Sequence, residues 1–120
     1  MINLLFLLAT AHAADVYDLC VIKRQRWSDR YQHFKTEQVE TFYTYDRPRL
    51  IIYEDSFEID RDSHPIIEKT SKGKGVTCWR EHKNSEVCYN EEHNLILWEW
   101  NTRAGATLRD LFVICKINGE

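Results

Sequence analysis

Residues 78–100 read CWREHKNSEVCYNEEHNLILWEW: two cysteines ten positions apart around a polar tip, then an apolar, Trp-rich run. If Cys78 faces Cys88, then Trp79 faces Val87, Arg80 faces Glu86 and Glu81 faces Ser85. His82, Lys83 and Asn84 are left as a three-residue loop, one of the common hairpin lengths. The register sets opposite charges across from each other and an aromatic beside a β-branched residue, both favourable cross-strand contacts. The stretch therefore predicts a disulfide-stapled β-hairpin feeding the strand Asn94–Trp100.

The chain has 120 residues, four cysteines and a formal net charge of −3, which leaves room for one domain. No excess of Lys and Arg exists to neutralise phosphates, so nucleic acid is not an expected partner. Leu4–Ala9 is apolar and Ala11-His12-Ala13 is an A-x-A pattern, marking 1–13 as a signal peptide and 14–120 as the mature domain. The apolar core is too short for a membrane span, which needs about 20 residues. Export makes disulfides the expected use of the cysteines. Four cysteines allow three pairings; Cys78–Cys88 closes the hairpin, and Cys20–Cys115 ties the first strand to the last. No C-x-x-C pair or H-x₃-H spacing marks a zinc site, and no metal or cofactor is expected.

Working outward, Val16–Lys23 is rich in β-formers. The basic run KRQRWSDRYQHFK follows, with Trp27, Tyr31 and Phe34 at i, i+4 and i+7, one face of a helix. A short helix or an ordered loop is expected there. Gln38–Tyr45, Leu50–Tyr53, Ser56–Asp60 and Ile66–Lys69 read as strands, 61–65 as loop, and Thr70–Gly75 as a flexible turn. Leu111–Ile117 closes the chain. The pattern predicts an all-β domain, or a β-dominated one with one short helix: a small antiparallel barrel or sandwich of about eight strands. Leu95–Trp98 and Leu111–Ile114 are apolar on both faces, and the Trp27/Tyr31/Phe34 face is the candidate lid over them.

Chemistry is less legible. No G-x-S-x-G exists for a nucleophilic triad. Glu58, Asp60, Asp62 and His64 alternate as if on one strand face, a weak cation pattern better explained as a solvated strand end. His33, Lys35, His82, His93 and Arg103 supply the residue types of a small phosphodiesterase or ribonuclease, without a spacing that brings them together. The basic–aromatic run holds Arg and Trp, the types most enriched in binding hot spots. Trp27 and Arg30 within it, with Trp100 and Arg103 beside the late turn, are the candidate binding residues. No catalytic residue is assigned.

Glu99-Trp100-Asn101-Thr102-Arg103-Ala104-Gly105-Ala106-Thr107 resembles the late motif F-W-x-K-G-x-x-A-T of small periplasmic lysozyme inhibitors, of the membrane-bound c-type-lysozyme-inhibitor kind. The Trp and the Ala-Thr are kept; Thr102 and Arg103 stand where that family has Lys and Gly. The chain is also similar to small exported four-Cys bacterial proteins of no assigned activity. The resemblance implies a compact antiparallel barrel and inhibition of a lysozyme-like hydrolase, with Arg103 taking the Lys role. The expected function is a non-enzymatic, secreted or periplasmic binding protein with a protein partner. Hydrolase inhibition is one alternative and a small secreted phosphodiesterase another.

Overall fold

The computed structural model describes residues 14–37, 48–81 and 85–118. Among them the chain forms ten strands and no helix. They are β1 (Asp15–Ser28), β2 (His33–Thr36), β3 (Arg49–Ile52), β4 (Ser56–Ile59) and β5 (Asp62–Pro65), then β6 (Glu68–Ser71), β7 (Val76–Glu81), β8 (Ser85–Asn90), β9 (Leu95–Asn101) and β10 (Thr107–Ile117). The sheet runs β5-β4-β3-β1-β10-β9-β8-β7-β6, with β2 added to β1. All the pairings are antiparallel. The first and last strands of that order are consecutive in the chain, so the sheet curls into a half-barrel whose ends meet at Ile66–Ile67. There the Ile66 N–H donates to Asp55 O on one side and the Ile67 N–H to Arg80 O on the other, both at 2.9 Å.

The stapled hairpin has the register read from the sequence: Cys78↔Cys88, Trp79↔Val87, Arg80↔Glu86 and Glu81↔Ser85. Both disulfides are present, Cys78–Cys88 and Cys20–Cys115. Cys20 lies within the register shift that separates Leu19 from Ile22 in β1 opposite β10. The extra residue of a bulge lets the strand bend, and here the bond fastens that bend to the last strand. The expected signal peptide 1–13, the expected strand Gln38–Tyr45 and the hairpin tip His82–Asn84 lie outside the described residues.

One face of the curl forms the core. Tyr17, Leu19, Leu50, Phe57, Ile59, Val87, Ile96, Trp98, Phe112 and Ile114 are buried in one cluster with Ile52 and Trp79. Phe57 of β4 meets Trp98 of β9 edge-on at 5.5 Å, a contact across the curl rather than along the sheet. Side chains alternate faces along a strand, which explains why Leu108, Asp110, Phe112 and Ile114 of β10 are all buried while Val113 between them is 40% exposed.

Two expectations are corrected. Residues 61–65 are not loop: Asp62–Pro65 is a strand paired to β4, with Ile59 opposite Asp62. The two residues between them, Asp60 and Arg61, have φ of 49° and 70°, as a two-residue hairpin turn with the matching twist demands. Glycine usually marks that turn, and its absence hid the hairpin. The turn also separates Glu58 and Asp60 from Asp62 and His64, so they do not share one strand face.

The second correction concerns the lid. The basic run holds neither a helix nor a cover. Residues 23–28 continue β1, and β2 folds back on it with Trp27 opposite Phe34. The i, i+7 spacing that suits a helix face suits this hairpin equally. Tyr31 sits in the turn, 50% exposed. The hairpin therefore prolongs the sheet in its own plane, and no described element crosses the outer face of β9 and β10. Leu95, Leu97 and Leu111 remain half-buried there.

Candidate functional site

The inner face at one end of the half-barrel is a closed polar–aromatic cluster. Trp98 and Trp100 are two apart on β9 and stack at 5.7 Å with their planes 21° apart. Opposite Trp98 stands Asp110, and opposite Trp100 stands Leu108. Asp110 is fully buried among apolar neighbours. A buried carboxylate is costly unless it is paired and hydrogen-bonded, and Arg24, its cross-strand partner on β1, supplies the pair. Arg24 Nε donates to Asp110 Oδ1 and Nη2 to Oδ2, each at 2.8 Å. The clamped guanidinium lies 5.0 Å over the Trp100 ring. Trp100 is thus packed between a tryptophan and a fixed cation as the end of the core.

At the seam, Glu81 of β7 accepts two hydrogen bonds: from His64 Nδ1 of β5 at 2.7 Å and from Ser85 Oγ. The imidazole stacks on Phe57 at 5.0 Å and lies 5.1 Å from Trp98. The carboxylate stands between hydroxyl and imidazole. A nucleophilic serine needs the base next to the hydroxyl and the carboxylate beyond it, so this order joins the two ends of the sheet without activating Ser85.

The β1–β2 hairpin is built differently. Its turn is held by Gln32 N–H donating to Ser28 O at 2.8 Å and by Trp27 Nε1–H donating to Asp29 Oδ1 at 3.0 Å; Gln32 takes the left-handed conformation, φ 55°. Trp27 meets Phe34 edge-on at 5.2 Å. The Arg109 guanidinium of β10 lies 3.7 Å from the centre of the Phe34 ring and donates to Gln25 Oε1 at 2.6 Å. At the tip, Lys35 Nζ is 3.8 Å and the Arg30 guanidinium 5.4 Å from the centre of Tyr31. Arg26 pairs with Glu37. Lys23, Arg30, Lys35 and Arg109 have no carboxylate within ion-pair distance among the described residues.

Of the four residues marked from sequence, Trp27 and Arg30 fall together on this hairpin. Trp100 lies on the inner face, and its cation is Arg24, while Arg103 is exposed in the turn between β9 and β10. Arg26 and Trp100 are both cross-strand partners of Leu108, so Trp27, next to Arg26, projects from the opposite face of the sheet to Trp100. The two candidate pairs do not form one site. Sequence reading missed Lys35 and Arg109 as partners of Tyr31 and Phe34, because each contact depends on strand pairing. Arg24 and Asp110 did leave a signal: an aspartate inside the apolar run LRDLFVI needs a partner somewhere.

His33 opens β2 at one end of the fold and His93 lies in the turn before β9 at the other, so these two histidines do not converge. The described residues hold one cluster of three potential metal ligands, Cys78, Glu86 and Cys88, and its two sulfurs are bonded to each other. No described helix is long and apolar enough to cross a membrane. At the end of the fold away from the hairpin, Tyr17 and Tyr89 pack at 5.0 Å. Burial, with the charge of Asp15 added, pushes the Tyr17 phenol up to about 12. Burial raises Tyr89 in the same direction.

No protein-family model, curated protein or solved structure matches this chain.

Proposed function

We propose that the chain is an exported, non-enzymatic binding protein: a disulfide-stapled half-barrel that presents the β1–β2 hairpin to a protein partner. Its two disulfides suit an oxidising compartment such as the periplasm or the extracellular space. The observation that carries the reading is the set of aromatic rings gathered on that hairpin with cations that have no described carboxylate in ion-pair reach. Trp, Tyr and Arg dominate binding hot spots because they combine large contact area with directed polar groups, and a rigid sheet fixes them at low entropic cost. The Ser85–Glu81–His64 order and the separation of His33 from His93 both support a binding role over a hydrolytic one.

The test compares three oxidised proteins as bait against periplasmic or extracellular extract: the parent, Trp27→Ser/Arg30→Ser, and Trp100→Ser/Arg103→Ser. The hairpin variant is expected to keep its cooperative melt and lose a discrete partner that the parent retains. A partner kept by the hairpin variant and lost by the Trp100/Arg103 variant, with its melt unchanged, moves the site to the opposite face.

A second reading, inhibition of a cell-wall hydrolase, is favoured by the exposure of Arg103 in the β9–β10 turn. Glycoside hydrolases work with two carboxylates in a cleft, and a guanidinium on a turn is a suitable counter-charge. Stoichiometric loss of muramidase activity, relieved by Arg103→Ser, supports it; unchanged activity at excess protein removes it.

A further inference from the structure

We infer that the partner of the β1–β2 hairpin is an acidic polypeptide segment, one carrying Asp or Glu side chains among apolar residues; the inference rests on the hairpin being the binding element.

The argument begins with charge. The chain as a whole carries −3, yet Lys23, Arg30, Lys35 and Arg109 gather on or beside one hairpin with no described carboxylate in ion-pair reach. Of the acids near them, Asp29 accepts from the Trp27 indole, Glu37 pairs with Arg26, Asp110 is buried against Arg24, and Glu99, opposite Arg109 on β9, lies outside ion-pair distance of it. Three of the four cations lie over ring faces instead. A ring face attracts a cation but does not neutralise it. A guanidinium held flat on a ring keeps N–H groups at its edge, which suit a carboxylate in two-point contact.

Geometry then narrows the class of anion. Phe34 and Lys35 are neighbours in β2, so they project to opposite faces. The Arg109–Phe34–Trp27 group lies on one face, and the Lys35–Tyr31 contact starts from the other and reaches the tip. A flat anionic membrane can meet only one of these at a time. A sulfated or phosphorylated glycan can follow the charges but brings no apolar groups to the half-buried Trp27 and Phe34. A polypeptide supplies carboxylates and apolar side chains on a chain that can bend around the hairpin.

The experiment uses the oxidised full chain and three defined probes: a fluorescent random copolymer of glutamate and tyrosine, heparin, and vesicles of phosphatidylglycerol in phosphatidylcholine. The copolymer is expected to bind best, and its affinity should fall steeply with added salt, since exposed charges are screened beyond about 10 Å at 0.1 M. Arg30→Glu/Lys35→Glu, both exposed positions chosen to leave the fold intact, should weaken it by about tenfold or more. A melt of each variant verifies folding. Tighter binding to heparin or vesicles than to the copolymer overturns the polypeptide assignment, and binding indifferent to both salt and charge reversal overturns the acidic one. If no probe binds while the Trp27→Ser/Arg30→Ser bait still loses its partner, the hairpin is the site and its partner is not acidic. If that bait loses nothing, the underlying reading fails instead.

Discussion

On the outer wall of the half-barrel, Arg80 of β7 meets Glu68 of the neighbouring β6 at 2.9 Å, and Lys72, just past the end of β6, meets Glu86 of β8 at 3.3 Å. On the β1–β2 hairpin, Arg109 and Lys35 meet Phe34 and Tyr31. Both regions are antiparallel ladders with the same residue types, and both satisfy the register that their strands impose. The wall cancels its charge locally, so its surface has little to offer an ionic partner. On the hairpin, Arg26 pairs with Glu37, but Arg30, Lys35 and Arg109 have no described carboxylate in ion-pair reach, and the rings lend their charge a fixed geometry. Exposed pairs of the wall type contribute only ~0–1 kcal/mol to stability, so neither pattern is needed to hold the fold. The difference is in what each surface presents to solvent.

The contrast depends on a core that is held independently of the hairpin, and the largest expected effect probes that. Cys20–Cys115 closes a loop with a sequence separation of 95; in the loop-closure model its removal costs roughly 4.7 kcal/mol, against roughly 2.8 for the short Cys78–Cys88 loop. Denaturant unfolding of Cys20→Ser/Cys115→Ser and of Cys78→Ser/Cys88→Ser should show that order. A reversed order would mean that the bulged β1–β10 seam is already fixed by its ladder.

Next comes the buried ion pair, the hinge between the two regions. Asp110→Ala removes the carboxylate that clamps Arg24, and breaking a buried pair from one side costs ~3–5 kcal/mol. Replacing both, as Arg24→Met with Asp110→Leu, should recover most of that loss, because the desolvation of both charges is then avoided. The double variant should also loosen Trp100, whose ring loses its cation, and indole fluorescence would report it. If the double variant is as damaged as the single one, the pair holds β1 in place by its geometry rather than by its charge balance.

How far the sequence foretold this comparison differs between its two sides. The wall was legible because its signals are local: the cysteine spacing set the Cys78↔Cys88 register, and each facing residue followed by counting. The hairpin was half legible. Its composition marked Trp27 and Arg30, but its conformation was misread, since nothing within Lys23–Lys35 says that the run is extended. That is decided by Asp110, 86 positions away, which draws Arg24 into the ladder. The β4–β5 turn was missed for a related reason: Asp60 and Arg61 accept a left-handed backbone that sequence rules assign to glycine or asparagine, and the flanking strands enforce it.

An alkaline titration tests the far end of the barrel, with a smaller effect. The Tyr17 phenol is held at about 12 against an ordinary 10, so the fold favours its neutral form. The folded protein then keeps a proton that the unfolded chain gives up. The stabilisation is complete below pH 10 and is lost as pH rises from 10 to 12. Ultraviolet difference titration of the parent against Tyr17→Phe should find Tyr17 ionising well above pH 10, with the melting temperature falling over the same interval. Tyr17→Phe should flatten that fall. A Tyr17 that ionises at the ordinary value of about 10 would show that this end of the barrel is open to water.

The smallest expected effect bears most directly on the contrast. Trp98→Ala removes a buried ring that touches Phe57, His64 and Trp100, and large aromatic truncations of this kind cost ~3–5 kcal/mol. Among the described residues Trp27 has one aromatic neighbour, Phe34, and one side-chain hydrogen bond, to Asp29 at the rim of a turn. An aromatic pair contributes ~0.5–1.5 kcal/mol beyond its burial, so Trp27→Ala should cost about 1 kcal/mol by denaturant unfolding. Trp27→Ala in a Phe34→Ala background should cost less still, because the pair is then already broken. The measured coupling would be the strength of the hairpin's own packing. A loss of 3 kcal/mol or more at Trp27 would place it in a second core and remove the reason for assigning it to a partner. A loss near 1 kcal/mol leaves a large indole that the fold hardly needs, beside cations that no described carboxylate neutralises. On a domain whose other large aromatics at Phe57, Trp79 and Trp98 are buried, that combination is expected of a surface shaped for contact with another molecule.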